Sequence, residues 1–435
     1  MNGKIILILV VGFSMIFLLI GRDFLNISTS ATDEMVEEIN DKKALDIARS
    51  ATNVVISYFW QQPDSVKLIG TSKVFYDNVA FNGGIVSSRL VRDSINANLF
   101  RIKTNASYGD STSLREKTIV VLYGPQRLTE MASFSEWGGN IWWTGSDIVN
   151  GAVYCKSDIQ VYDHPTFNDK VYSGQHSFDY FSDKNNDYPN LDSTNLFFGA
   201  DLKRAGDALN EIQTEAQSGG WYLWGNNSGW SAPAADTMYI EIKGTNMEVK
   251  FSKSDPPASY NIATKVPNKV IFADNYVVRL KGELDGQLLI SCSGDSDYGK
   301  GKILLDDDII YKDDPRNGAS DDLLGLVAEG FIEVADTQPN QTDINVHAAI
   351  YSSWEGLTAE NATTKADAGK INFLGSLIEH ERKAVGSFTA AGVLTGYGRN
   401  YDYDTRLKNI SPPFFPSLQG FNVLAWYEGE SAKNQ

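Results

Sequence analysis

The chain has 435 residues, with 55 acidic against 38 basic side chains and a formal charge of -17. That balance excludes partners bound through phosphate neutralisation, so no nucleic-acid ligand is expected. Only two cysteines occur, Cys155 and Cys292, which rules out a disulfide framework or a thiolate metal cluster. They read as two buried small residues or, in an oxidising compartment, as one bridge.

The first element is apolar, "KIILILVVGFSMIFLLIG". Ile5, Ile6, Leu7, Ile8, Leu9, Val10, Val11, Phe13, Ile16, Phe17, Leu18, Leu19 and Ile20 lie in a stretch with no charge. As a helix at about 1.5 Å per residue it covers about 24 Å, a little short of a bilayer core of about 30 Å. A cleaved secretory signal needs a small-residue site directly behind its core. The nearest, Thr29 and Ala31, stands too far on, so a retained anchor is expected. Behind it Val36, Ile39, Ala44, Ile47, Ala48, Ala51, Val54, Val55 and Tyr58 fall mostly three or four apart, an amphipathic helical pattern. Ser28 to Thr32 offer caps for a new helix, but no proline occurs before Pro63. One nearly continuous helix from Lys4 to Gln61 is therefore allowed.

From Lys67 to Gly124 the pattern changes to alternation, as in "GGIVSSRLVRD" and "KTIVVLYG", and predicts a small antiparallel sheet packed on the amphipathic helix. Further on, an internal repeat places apolar residues at first, third and seventh positions. They are Val278, Leu280 and Leu284; Ile303, Leu305 and Ile309; Ile344, Val346 and Ile350; Ile371, Phe373 and Leu377, with Leu324 and Leu326 as an intermediate unit. A period of about 20 with strand-like alternation predicts a solenoid, a right-handed parallel β-helix. "SDIVNGAVYCKSDIQVYDHPTFNDKVYSG" has the same texture and reads as its first coils.

The expected fold class is mainly β: a long N-terminal helix with a small antiparallel sheet, then a β-helix interrupted by an α+β insert. The expected boundaries are 1–62 (helix), 63–138 (sheet), 139–175 (first coils), 176–266 (insert), 267–396 (main β-helix) and 397–435 (cap and tail). A cap is expected because an open solenoid end leaves strand edges unpaired.

For chemistry, Asp306, Asp307, Asp308, Asp321 and Asp322 are the candidate carboxylates. Glycosidic cleavage would need two of them about 5 to 9.5 Å apart. Aspartates at coil corners are more often solvated turn residues, so no catalytic residue and no enzyme is expected; a polysaccharide lyase or glycoside hydrolase is the alternative. Asp313, Asp314, Asp321 and Asp322 carry the hard oxygens a calcium ion takes, without EF-hand spacing, and calcium is the one cofactor considered. Trp221, Trp224 and Trp230 can stack on sugar rings or pack the insert. His347 reads as a satisfied structural residue.

Two resemblances follow from these segments. The apolar run leading into "ALDIARSATNVVISYFW" resembles the N-terminal region of PilX-type minor pilins. "DDPRNGASDDLLGLVAEGFIEV", "INVHAAIYSS" and "GYGRNYDYDTRLKNISPPFFP" resemble a family of long Gram-negative envelope proteins in which a pilin-like anchor carries a β-helical ectodomain. The resemblance implies a single-pass inner-membrane anchor, pilin-like or pseudopilin-like partner subunits, a type IV pilus or type II secretion-like assembly, and a surface glycan as a further partner. The chain departs from the pilin pattern at its start. Gly3 has no basic residue before it, and Ile8 stands where pilins carry a glutamate.

Overall fold

The computed structural model describes residues 2–61, 69–92, 99–145, 147–204, 206, 208–225, 236–295, 299–389, 392–419 and 421–430. The chain is mostly β, with one long N-terminal helix, a small antiparallel sheet and a large mixed sheet. It divides into two compact units, 1–126 with 420–435, and 127–419.

In the first unit α1 (Asn2–Gln61) is a single helix. The hydroxyls that offered a new cap do not break it. Thr29 and Thr32 donate instead to the carbonyls of Leu25 and Ser28, four residues back, as does Ser14 to Val10, which satisfies them inside the helix. The last third of α1 buries Ala44, Ile47, Ala48, Ala51, Val55, Ile56 and Phe59. Their partner is a five-stranded antiparallel sheet of β1 (Ser72–Phe81), β2 (Gly84–Arg92), β3 (Phe100–Tyr108), β4 (Arg115–Gly124) and the closing strand Asn422–Glu430, in that order. Alternation along β2 and β3 turns Val86, Leu90, Phe100 and Ile102 toward the helix, and the three alanines let the backbones approach.

The closing strand corrects the expectation that 397–435 caps the solenoid. Gly398–Tyr403 is still a strand of the second unit, and the final strand pairs with β4. The physical reason is the edge of β4, whose N–H and C=O groups need a partner, and "FNVLAWYEGE" supplies a strand of matching length. Phe421 anchors it against Phe100 and Tyr123, at ring distances of 5.7 and 5.9 Å. Arg49 of α1 grips Glu428 with both Nε and Nη2, at 2.8 and 2.7 Å.

The second unit contains β5 (Met131–Trp137), β6 (Ala152–Cys155), β7 (Val171–Ser173), β8 (Leu196–Phe198), α2 (Ala208–Gly219), β9 (Trp221–Trp224), β10 (Asp236–Gly244), β11 (Val270–Asp274), β12 (Tyr276–Leu284), β13 (Gln287–Ser293), β14 (Lys302–Tyr311), β15 (Leu323–Ala328), β16 (Ile332–Val334), β17 (Ile344–Ser352), β18 (Leu357–Ala359), β19 (Lys370–Glu381) and β20 (Gly398–Tyr403). One parallel ladder runs β9-β11-β13-β15-β17-β19-β5-β6-β7-β8. A second runs β10-β12-β14-β16-β18, and β17, β19 and β20 continue alongside. Ile271, Ile290, Leu326 and Ile350 face one core, while Phe272, Leu289, Val327 and Tyr351 face another, covered by α2 and by Leu407, Phe415 and Leu418. Burial on both faces is the usual condition of a parallel sheet.

The order of rungs is permuted relative to the chain. Residues 131–198 extend the ladder beyond β19, although they precede β9 in sequence, so the early strands follow the late ones in the sheet. Residues 199–219 lead from the β8 end to β9, and the segment expected as an insert contributes β8, β9 and β10 to the ladders. The intermediate repeat unit is also corrected. Leu324 and Leu326 pair with Leu288 and Ile290, while Ile332 and Val334 stand over Ile303 and Leu305. Every residue of "LLGLVA" is buried, so alternation gave no phase there. Cys292 lies in the row Cys292-Ala328-Ser352 of β13, β15 and β17, and Cys155 in the row Glu379-Ser135-Cys155 of β19, β5 and β6, with β17 and β19 adjacent in the ladder. Five rungs at about 4.8 Å put them roughly 24 Å apart, beyond any disulfide. Both are buried free thiols.

Candidate functional site

The first functional feature is the unburied part of α1. Leu7, Leu9, Val10, Val11, Phe13, Ile16, Phe17, Leu18, Leu19 and Ile20 are all exposed, as are Phe24, Leu25, Ile27, Met35, Val36 and Ile39 farther along. The side chains of Ile5, Ile6 and Ile8 lie outside the described residues. By length and composition this helix can cross a membrane, and none of its most apolar window is buried. The apolar surface continues past Arg22 and Asp23, farther than the uncharged run alone indicated.

The candidate carboxylates do not form one site. Asp306 is held by Arg279 through Nε and Nη2, at 3.1 and 2.5 Å. Asp308 accepts from the backbone and side chain of Asn345. Asp307 accepts from the N–H of Asp308 and borders an open groove with Asp285 and Lys312. Asp322 is fully buried, and its two oxygens accept the N–H groups of Gly286 and Asp313, at 2.6 and 2.9 Å. Asp314 is spent on Arg316, which with the adjacent N–H holds its carboxyl down at about 2. Asp313, Asp314, Asp321 and Asp322 therefore do not converge as calcium ligands, and among the described residues no three acidic, histidine or cysteine side chains do so. His347 is buried, accepts from the N–H of Tyr311 and is pushed toward the neutral form by burial.

Asp322 is thus a clamp between two turns. Asp322→Ala is expected to destabilise the second unit by about 1 to 3 kcal/mol by leaving two N–H groups unpaired. Asp321→Ala, at an exposed side chain, is expected to stay within about 0.5 kcal/mol. Urea midpoints of the two variants check the difference.

The tryptophans are dispersed. Trp221 meets Tyr260 edge to face at 5.3 Å with Lys265 over its ring, and packs on the core at the β9 end. Trp224 is exposed, and Trp230 lies outside the described residues.

A cavity of about 190 Å³ sits where β19 and β20 meet β5 and residues 141–150. Its polar side chains come from three distant segments. Glu379 is 2% exposed and accepts the N–H of Leu357 at 2.7 Å. Burial pushes its carboxyl up to about 7, against the opposing pull of that N–H and of Arg382 and Arg399. Arg382 sits over Trp143, 4.0 Å from the ring centre, and donates to the carbonyl of Ile141. Burial, then the like charge of Arg399, weakens its hold on its proton. Arg399 donates to the Trp142 carbonyl and to Asp147 at 2.9 and 3.2 Å, and Asp147 also accepts from Thr144. Phe373, Leu377, Leu357 and Tyr401 complete the wall. Sequence reasoning missed this cluster. Its one local signal was Glu379, an acid within the otherwise uncharged buried run "INFLGSLIE" of β19.

No family model and no curated protein matches the chain. Among solved structures, the competence-associated pilin ComZ from Thermus thermophilus aligns over 90% of this chain and 98% of its own, at 13% identity and a TM-score of 0.38. Similarity at that level leaves the functional reading to this chain's own residues.

Proposed function

We propose that the protein is a membrane-anchored, pilin-like protein of a Gram-negative cell envelope, with a right-handed parallel β-helical ectodomain in a structural or adhesive role. The carrying observation is the division of α1, whose first part leaves its apolar side chains exposed while its last part buries one face on the sheet. Each large aliphatic or aromatic side chain left in water costs about 1.5 to 3 kcal/mol relative to burial. The row from Leu7 to Ile39 favours a lipid bilayer, or the helices of pilin-like or pseudopilin-like neighbours in a type IV pilus or type II secretion-like assembly. The reading is non-enzymatic, and a calcium ion has no part in it.

Tagged full-length protein is expected to stay in the membrane pellet through a carbonate wash and to leave it with detergent. Val11→Arg with Phe13→Arg, at about 2.5 to 3.5 kcal/mol for each charge at a span centre, is expected to move it to the soluble fraction. Release of the unaltered protein by carbonate, or a mature N-terminus near Ala31, overturns the anchor. Glycan turnover abolished by Asp307→Asn overturns the non-enzymatic reading.

A further inference from the structure

The cavity at the junction of β19, β20 and β5 holds buried charge that the protein does not neutralise. Arg382 is 8% exposed, and only its Nη1 is engaged, by the carbonyl of Ile141. Among the described residues its Nε and Nη2 make no hydrogen bond, and no carboxylate stands within ion-pair distance of it. Asp147 is already shared between Arg399 and the N–H and hydroxyl of Thr144. Lys383 is taken up by Glu355 and Glu381. Glu379 accepts the N–H of Leu357 on one oxygen, and its other oxygen has no partner among the described residues. Burial pushes this carboxyl up to about 7, so at pH 6 it is mostly neutral and its O–H can donate.

These polar heads converge. Arg382, Arg399, Glu379 and Asp147 all act on the Tyr401 hydroxyl, which burial holds in its neutral form. That hydroxyl is also without a hydrogen bond among the described residues, and neither it nor the idle nitrogens of Arg382 are sealed off from water-sized space. With Glu379 neutral, two guanidinium groups face one carboxylate, which leaves one positive charge in excess. An unpaired buried charge is costly and calls for an anion.

The rest of the wall selects the kind of anion. Phe373, Leu377 and Leu357 are buried and apolar, and Phe373 meets the Tyr401 ring edge to face at 5.5 Å. An inorganic ion has nothing to set against them. The guanidinium fork matches a carboxylate through two parallel hydrogen bonds. A cavity of about 150 Å³ takes one benzene ring, so the 190 Å³ here has room for one ring, or a branched chain of that size, with one carboxylate. Ile148, Asn150 and Asn400, all exposed, belong to the same lining, so the cavity opens to solvent beside them.

We propose that this cavity binds a small monocarboxylate with an apolar body, its carboxylate held by Arg382 and the Tyr401 hydroxyl and its body lying on Phe373 and Leu377. Neutral Glu379 adds a further donor. The site lies wholly within the second unit, and it stands whether or not α1 enters a membrane.

The test is calorimetric titration of full-length protein in a nonionic detergent at pH 6. The probes are benzoate and isovalerate, with benzamide as a neutral isostere and acetate and inorganic phosphate as anions without an apolar body. Benzoate or isovalerate is expected to bind with a dissociation constant below about 1 mM, at least about tenfold more tightly than the other three, and to raise the thermal midpoint of the second unit. Arg382→Lys keeps the charge and loses the fork, and is expected to weaken that binding by about tenfold or more. Leu377→Trp fills the cavity and is expected to abolish it, with the thermal midpoint reporting that each variant is folded. The comparison of probes on the unaltered protein requires no variant, so it decides the matter even where a variant unfolds. Absence of binding by both carboxylates, equal binding by benzamide, acetate or phosphate, or unchanged affinity in either folded variant overturns the proposal.

Discussion

Truncation after Gln419 is expected to unfold the N-terminal unit while residues 127–419 keep their own transition. The cut removes Phe421, the full pairing from Asn422 with Gly124 to Glu430 with Lys117, and the Arg49–Glu428 bridge. Losing a buried phenylalanine costs about 3 to 5 kcal/mol by itself. Losing the strand also uncovers the backbone edge of β4 and one side of Tyr123, which is fully buried. Against a total stability of about 5 to 15 kcal/mol for a domain, that loss is decisive. Calorimetry of the intact chain should resolve two transitions, and the truncated chain should lose the one belonging to the helix and sheet. Phe421→Ala is the milder form, lowering that transition by about 3 to 5 kcal/mol. Glu428→Gln is expected to leave it nearly unmoved, because exposed ion pairs contribute little. Equal shifts of both transitions would show that the closing strand does not belong to the first unit alone.

That strand also shows where sequence reading stops. The helix, the alternation of β2 to β4 and the registers Val278 with Ile303 and Ile344 with Ile371 were all readable, because each depends on local periodicity. The return of residues 421–430 to the first sheet was not, since a strand's pattern states that it must pair and not with what. The permuted stack has the same cause. β5 joins β19 through Ser133 and Leu377, and no local pattern brings together two strands so far apart in the chain. The seam cavity inherits that difficulty, because Asp147, Glu379, Arg382 and Arg399 meet only through this junction. The aspartates misled in the opposite direction. A run of acids is conspicuous in sequence, yet Asp306, Asp308, Asp314 and Asp322 are each engaged by neighbouring donors.

Replacing Glu379 by glutamine is expected to stabilise the second unit at pH 8 and to leave it unchanged near pH 4. Burial raises the carboxyl from its ordinary value near 4.5 to about 7 in the folded chain, so the folded state holds this proton more tightly than the unfolded one. Stability from this group is fully present below pH 4.5 and is lost as the pH rises through about 7. At pH 8 the buried carboxylate is ionised, and the shift corresponds to a penalty on the order of 3 kcal/mol. Glutamine is neutral throughout and its oxygen can still accept the N–H of Leu357, so it removes the penalty and keeps the bond. Arg382, Arg399 and Lys383 face the same cavity as Asp147, and the first three favour the carboxylate, a pull that the net rise to about 7 already contains. Urea unfolding of the full chain between pH 4 and 8, following the second transition, measures the gap between variant and parent. A gap that opens as the pH rises confirms a carboxyl held protonated by its burial; a gap of constant size would mean that the substitution acts on packing alone.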